Sequence, residues 1–462
     1  MTTEHTAGTD DGIEVTDPHD GTIVGTVPIA TEADIRTAVQ RAREAFPAWR
    51  ATPAAERGRS LRRAALGLAA QEDALADLNH RETGRHREEA LEGVRAAIDT
   101  LLQISELAPL HRGRSLLGGN EAVDLMRPEP RGVAAVVTPW NDPVAVSVGL
   151  IGAALGTGNT VVHKPSERCP HLGRLLGEVL EPHFPSGVLS TVIGDAREGE
   201  ALVAFPEVDV VAHVGSTVAG ERIARAVALT GAHLIRENGG NDAFIVDADV
   251  DPRWAAAQAA IGAFANSGQI CTSVERIIVH RGIADEFVEA LTAEASERND
   301  QGLVAPLVDQ RMRESVHAQV AEAIASGARV VVGGAVPAGP GSHYPATVLS
   351  DCSPDMRLFS EETFGPVAPV LAVEGFTEAV ERAAHDEYGL SATVLTADIA
   401  HAHYAIDRLP VGTVKVNAVF GGAPGGSAQP RGRSGSGFGY GPELLDEMTT
   451  TKVVHLAPAV TR

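Results

Sequence analysis

The sequence predicts an α/β protein with two doubly wound domains, and three observations lead there. From residue 133 onward, short aliphatic and β-branched runs alternate with helical segments every 20–30 residues or so. That spacing belongs to a parallel sheet covered by helices on both faces. A second alternating block starts after Gly239-Gly240, and 462 residues are enough for two or three domains with substantial cores.

The elements follow in chain order. Residues 31–48 begin with the capping-type start Thr31-Glu32-Ala33-Asp34 and place Ile35, Ala38, Val39, Ala42 and Phe46 on one helical face. Further helical stretches cover 54–78 and 86–107, and Gly, Arg and Pro break the pattern from 110 to 132. Strands are expected at Val133–Val137, Thr160–Val162, Leu189–Ile193, Val208–Ala212 and Leu234–Ile235, with helices at 143–156, 171–181, 197–204 and 217–229 between them. In the second block the strands are Phe244–Val246, Ile277–Val279, Val330–Val332, Val370–Val373 and Ala392–Leu395, with helices at 252–265 and 283–297. A glycine-rich stretch from Gly421 to Gly441 leads to a last strand, Lys452 to Leu456.

Composition narrows the functional classes. With 44% apolar and 21% charged residues the chain reads as a soluble globular protein. A net charge of −23 argues against nucleic acid and anionic membranes as partners, since both need basic patches. Three cysteines cannot build a disulfide framework, and Met1 to His5 lacks the basic start and apolar run of a signal peptide. The apolar stretch Val144–Leu155 is too short to span a bilayer. The expected location is the cytoplasm. The 17 histidines show no metal-ligand spacing, so no metal is expected.

Four segments carry chemistry. Cys271 closes Ser267-Gly268-Gln269-Ile270-Cys271, and Glu237 lies upstream in Arg236-Glu237-Asn238-Gly239-Gly240. A thiolate is a nucleophile, and a carboxylate can take its proton or activate water, so the pair suggests covalent catalysis through a thioester. Alone, such a cysteine is more often a small buried hydrophobe. Gly215-Ser216-Thr217 follows a strand and opens a helix, which suits a pyrophosphate or an ordinary serine cap. Lys164 and Glu167, just after another strand, suit ribose hydroxyls or a solvated turn. Thr138-Pro139-Trp140-Asn141-Asp142-Pro143 ends the first strand of the block: Asn141 suits an oxyanion, and Asp142 a helix N-cap. Cys169 and Cys352 read as unreactive structural thiols.

Taken together and in order, these segments and Glu361-Glu362-Thr363-Phe364-Gly365-Pro366 resemble the aldehyde dehydrogenase superfamily, from about Asp17 to the final strand. The resemblance implies that Cys271 attacks the aldehyde, that Asn141 and the Cys271 N–H form the oxyanion hole, and that Glu237 activates the hydrolytic water. It implies NAD, with NADP as the alternative. Lys164 and Glu167 would bind at the adenosine ribose, Gly215 and Ser216 at the pyrophosphate, and Glu362 with Phe364 at the nicotinamide ribose; Thr138, Pro139, Trp140, Ser166, Gly194 and Gly239 are implied as further cofactor-binding residues. Glu167 favours NAD, because a carboxylate repels a 2′-phosphate. The implied domains are 1–108 with 130–238 for cofactor binding, 239–441 for catalysis, and a β arm of 109–129 with 442–462 that makes a homodimer or homotetramer.

The chain departs from the family pattern near the substrate. Asn238 replaces the usual Leu beside the base, Asp142 a frequent aromatic, and Gln429-Pro430-Arg431-Gly432 the usual Pro-Phe-Gly-Gly. Gly149, Gly421, Gly422 and Ala428 fall where relatives carry bulky tunnel residues, with Asp142 and Thr272 beside them. A wide tunnel for a bulky aldehyde is expected, with Asp142 favouring a polar or cationic one unless it merely caps the helix. Two other readings stand beside this one: a CoA-acylating relative, against which Glu237 argues, and a catalytically silent binding protein on the same fold.

Overall fold

A computed structural model describes residues 12–421 and 426–459. Its first sheet has six strands in the order Gly435–Ser436, His233–Glu237, Val210–Val214, Val133–Val137, Thr160–Lys164 and Leu189–Thr191. All pair in parallel except Gly435–Ser436, which runs antiparallel to the His233–Glu237 edge. Strand order reverses at Val133–Val137, so a crevice opens between its C-terminal end and that of Val210–Val214. Open α/β sheets bind ligands at such a switch point.

Local chemistry explains the helices over this sheet. Helix Glu32–Ala51 starts on a reciprocal cap, with Thr31 Oγ1 accepting from Asp34 N–H and the Asp34 carboxylate accepting from Thr31 N–H. Helix Pro143–Thr157 begins with proline in its first turn and ends at Gly158, whose φ of 100° only glycine adopts readily. Leu61, Leu68, Val94, Leu101, Ile151 and Leu155 bury one face of the sheet, and Ile35, Val39, Leu202 and Ile223 the other. Each such side chain contributes about 1.5–3 kcal/mol on burial.

The second sheet has seven strands in the order Arg329–Val332, Thr347–Ser350, Val367–Val373, Arg276–His280, Ala243–Val246, Ser391–Leu395 and Thr413–Val416. Only the Arg329–Val332 edge is antiparallel. A three-stranded antiparallel sheet joins Arg114–Leu116, Val123–Pro130 and Thr449–Leu456, in register from Thr449 opposite Pro130 to Leu456 opposite Val123.

Some expectations change. The helix expected over 54–78 divides into Ala54–Ala69 and Glu72–Thr83, because Gln71 leaves helical geometry at φ −122°. Helices Gln310–Ala325, Phe376–Ala384 and Ile399–Arg408 and strands Thr347–Ser350 and Thr413–Val416 were not anticipated. Lys415 interrupts the apolar pattern of the last of these. Leu444, Leu445 and Met448, assigned by sequence to the arm, pack into the core of the first sheet. Gly435–Ser436, assigned to the catalytic block, completes the edge of the first sheet. No helix among the described residues is long and apolar enough to cross a membrane.

Candidate active site

The two sheets contribute opposite edges. Glu237 ends a strand of the first sheet at its C-terminal edge, and six residues later the chain enters the second sheet at Ala243. Cys271 precedes strand Arg276–His280, and Glu362 and Phe364 precede strand Val367–Val373, so the second sheet presents its N-terminal edge. Every residue on this side therefore sits on a loop.

The cysteine loop is tightly wound. Helix Pro252–Phe264 gives way to a turn in which Asn266, Ser267 and Gly268 take φ values of 46°, 57° and 74°. A β-carbon on Gly268 would lie 2.1 Å from the Gly365 carbonyl oxygen, so the close approach of these two loops requires glycine. Buried hydrogen bonds hold the turn. Ser267 Oγ donates to the Ala305 carbonyl at 2.6 Å, Gln269 Nε2 donates to the Asn266 carbonyl at 3.1 Å, and Gln269 Oε1 accepts from Val308 N–H at 2.9 Å. Asn141 Nδ2 donates to the Gln269 carbonyl at 3.1 Å. The amide is thereby brought to the backbone two residues before Cys271, and Asn266 Nδ2 shares the same carbonyl at 3.2 Å.

Acidic groups are concentrated here, with Lys415 and Arg276 as the cations that act on them. Glu237 is buried, its Oε1 accepts from Gly439 N–H at 3.0 Å, and burial raises its carboxyl to about 7. A β-carbon on Gly439 would lie 2.5–2.6 Å from the Glu237 side chain, so this glycine lets the peptide close over the carboxylate. Cys271 is partly exposed; desolvation of its thiol, with Glu237, Asp242 and Glu362 nearby, pushes it up to about 12. Attack by this sulfur therefore needs a proton acceptor. Burial holds Glu275 and Asp242 at about 7 each. Glu275 accepts from the Thr363 and Phe364 N–H groups at 2.9 and 3.0 Å, fixing Phe364 at a φ of 54°. Asp242 accepts from the backbone N–H and the hydroxyl of Ser391. Gly439, Glu275, Asp242, Tyr440 and Lys415 escaped the sequence reading. Of these Asp242 and Glu275 left a signal, each an acid at the mouth of an apolar strand.

The expected cofactor residues line the first sheet's crevice. Buried Lys164 donates to the Pro165 carbonyl at 3.0 Å and lies 3.8 Å from the Glu167 carboxylate. Ser166 Oγ stands 3.5 Å from that carboxylate. Ser216 caps helix Thr217–Thr230, accepting from Ala219 N–H at 3.3 Å. Gly215 packs against the buried His213 ring, where a β-carbon would meet Cε1 at 2.8 Å. Gly194 packs on Glu198, and Gly239 on the Glu362 carboxyl, whose Oε1 accepts from Gly240 N–H at 3.1 Å. Trp140 meets Phe364 edge to face at 5.6 Å, and Pro139 joins Trp140 to Thr138. The Thr138 hydroxyl is engaged by His163 and Ser147, at 2.9 Å each, and its N–H donates to the Lys164 carbonyl at 3.2 Å. A helix N-terminus, two glycines packed too closely for a β-carbon and a carboxylate beside a buried ammonium fit a dinucleotide.

Around the proposed tunnel, one expectation is corrected. Asp142 occupies the N-cap position, but its side chain makes no capping bond. Its carboxylate pairs with Arg85 at 3.0 Å, so its charge is matched. Among the described residues, only Thr100 Cγ2, at 3.9 Å, comes near a built β-carbon on Gly149, and nothing lies within 4 Å of one on Gly421. Thr272 and Ala428 are partly exposed, and Gly422 lies outside the described residues. Asn238 turns away from the crevice: its Nδ2 donates to the Arg433 carbonyl at 2.7 Å. Gln429–Gly432 crosses the second sheet, with Arg431 N–H donating to the Gly389 carbonyl at 3.0 Å. Cys169 and Cys352 are both buried in apolar cores, which pushes both thiols up.

Fold and site together define an enzyme that sets a cysteine and a buried carboxylate against a dinucleotide-type crevice. The family model described as the aldehyde dehydrogenase family matches residues 5–454. The benzaldehyde dehydrogenase [NAD(+)] of Pseudomonas putida is 33% identical, over 96% of this chain and 92% of that protein. The alpha-ketoglutarate semialdehyde dehydrogenase of Haloferax volcanii is 36% identical, over 89% and 88% respectively. Among solved structures, lactaldehyde dehydrogenase from Escherichia coli superposes with a TM-score of 0.92 at 32% identity, covering 98% of this chain and 97% of that one. This chain belongs to the aldehyde dehydrogenase family, and it is an oxidoreductase that acts on aldehydes with NAD or NADP.

Proposed function

We propose that the chain oxidises a bulky aldehyde to its carboxylic acid, with NAD preferred, by covalent catalysis at Cys271. The observation that carries this reading is the pairing of a partly exposed thiol with a buried carboxyl held at about 7, Glu237, inside one charge-coupled cluster. Cys271 Sγ attacks the carbonyl carbon, forming an S–C bond, while ionised Glu237 takes the thiol proton. The carbonyl oxygen becomes an oxyanion received by Asn141 Nδ2 and the Cys271 N–H. When bound, the nicotinamide cofactor supplies the hydride acceptor; Lys164, Glu167, Gly215, Ser216, Glu362 and Phe364 would hold it. Glu237 then releases the thiol proton to solvent, and in the second half the re-ionised carboxylate takes a proton from water, whose oxygen attacks the thioester carbon. The S–C bond then breaks and the acid leaves.

Substrate size rests on the open room at Gly149 and Gly421, and the relatives named for benzaldehyde and vanillin act on aldehydes of that bulk. The NAD preference rests on Glu167. We further propose a cytoplasmic homodimer or homotetramer built through the three-stranded sheet. Leu116, Leu117, Val123, Val453 and Leu456 expose apolar surface on that sheet and its connecting loop, as an interface would.

The test is an NADH-formation screen over aliphatic, aromatic and amino aldehydes, without added CoA and with Cys271→Ala as control. Turnover of aromatic aldehydes that is lost in the variant is expected. Activity surviving in Cys271→Ala would overturn the mechanism, and a clear preference for acetaldehyde would overturn the substrate size.

A further inference from the structure

Strand Thr413–Val416 borders the catalytic cluster and carries Lys415, a cation that makes no ion pair among the described residues. In its register Ser391 stands beside Thr413, and Thr393 beside Lys415. Alternate residues of a strand share a face, so Ser391, Thr393, Thr413 and Lys415 all project from the same side of the sheet. Two partners identify that side as the site's. The Ser391 hydroxyl donates to buried Asp242. Thr413 meets the hydroxyl of Tyr440, which follows the Gly439 that donates to Glu237 and lies within electrostatic reach of Glu237 and Cys271.

Lys415 is half-buried, and its Nζ lies 5.6 Å from the centre of the Phe420 ring, at the start of the loop that lines the proposed tunnel mouth. Among the described residues no carboxylate lies within ion-pair distance of it and no hydrogen bond satisfies it. Asp242 is its nearest acidic influence, but both Asp242 oxygens are held by Ser391. A ring face and a more distant carboxyl compensate a partly desolvated ammonium less than a direct anion would, which leaves Lys415 open to a ligand's anion. The other charge near the entrance, Asp142, is already matched by Arg85.

We infer that Lys415 is a specificity-determining residue that receives an anionic group, a carboxylate or phenolate, at the far end of the aldehyde substrate. The inference rests on the proposed oxidation at Cys271 and narrows its substrate class to aldehydes bearing a negative charge.

The experiment compares 4-carboxybenzaldehyde with benzaldehyde, which share a ring and a reacting group and differ in the distal charge. NADH formation gives kcat and KM for each with the wild type, Lys415→Met and Lys415→Arg. The wild type is expected to favour the charged aldehyde in kcat/KM. Lys415→Met should reduce that ratio by about tenfold or more, chiefly through KM, the scale of losing one charge-assisted hydrogen bond. Lys415→Arg should retain most of the preference. As a check that needs no variant, the wild-type KM for 4-carboxybenzaldehyde should rise with ionic strength while that for benzaldehyde holds. No wild-type preference for the charged aldehyde, or an equal loss on both substrates in Lys415→Met, overturns the inference. Absence of NADH from either aldehyde with the wild type would instead strike at the oxidation itself.

Discussion

The edges of the two sheets that meet at the site are built differently. The first sheet offers its C-terminal edge through backbone and caps: a serine-capped helix, glycines packed too closely for a side chain, and a buried lysine bonded to a carbonyl. The second offers its N-terminal edge through side chains on wound loops. Three of the five non-glycine residues at positive φ among the described residues, Asn266, Ser267 and Phe364, lie there. So do Asp242, Glu275 and Glu362, whose carboxyls are all raised by burial. The first edge carries the base Glu237 and Asn141 beside the expected cofactor groups, and the second carries the cysteine. Backbone strain collects on the cysteine's side, while carboxyls raised by burial stand on both, and the surrounding packing holds them there.

The largest test of this contrast is Glu237→Gln, in which the amide oxygen can still accept from Gly439 N–H but no longer takes a proton. Steady-state turnover is expected to fall about 10²–10⁴-fold, the usual worth of a general base. The wild-type rate should rise with pH through about 7, as the raised carboxyl ionises, and the variant should lose that rise. Stopped-flow measurement of NADH release against pH reads both.

A smaller effect is expected from Gly439→Ala, whose methyl would overlap the Glu237 side chain. Turnover should drop about tenfold with little change in KM for the cofactor, since misplacing a base costs more than it unfolds. A variant with wild-type kinetics would mean that Gly439 does not set the base.

Glu275→Gln tests the other carboxyls. Glutamine retains one acceptor oxygen for the two N–H groups at Thr363 and Phe364, so KM for NAD should rise several-fold. The stability argument has a definite sign. A carboxyl at 4.5 unfolded and about 7 folded favours the fold when protonated. That contribution is full below the unfolded value and is lost as pH rises through about 7. The wild-type melting temperature should therefore fall more steeply between pH 5 and 7 than that of Glu275→Gln.

The smallest effect belongs to the binding edge. Ser216→Ala removes one helix cap and should lower stability by about 1 kcal/mol, measured by urea unfolding. Turnover at saturating NAD should hold.

Much of the site was legible because its reactive residues are adjacent to chain punctuation. Cys271 closes a Ser-Gly-Gln run, Glu237 ends a strand before Gly-Gly, and Asn141 follows Pro-Trp. Other parts left no local mark. Gly439 is one glycine among several, and its importance lies in a contact with a residue 202 positions away in the chain. Asp142 looked like a cap from its neighbour Pro143, yet the nearby Arg85 takes its carboxylate. Lys415 only broke a pattern, which hid both its strand and its unpaired charge.

By itself, then, the sequence determined the α/β alternation and the family, and singled out the three residues proposed to carry the chemistry, because periodicity, caps and motif order are written in neighbouring residues. Tertiary structure alone decided the burial that raises Glu237 and Cys271, the glycine packed against Glu237, and the placing of Lys415 beside Phe420. Desolvation and unmatched charge depend on which distant segments surround a group, and local sequence does not specify those.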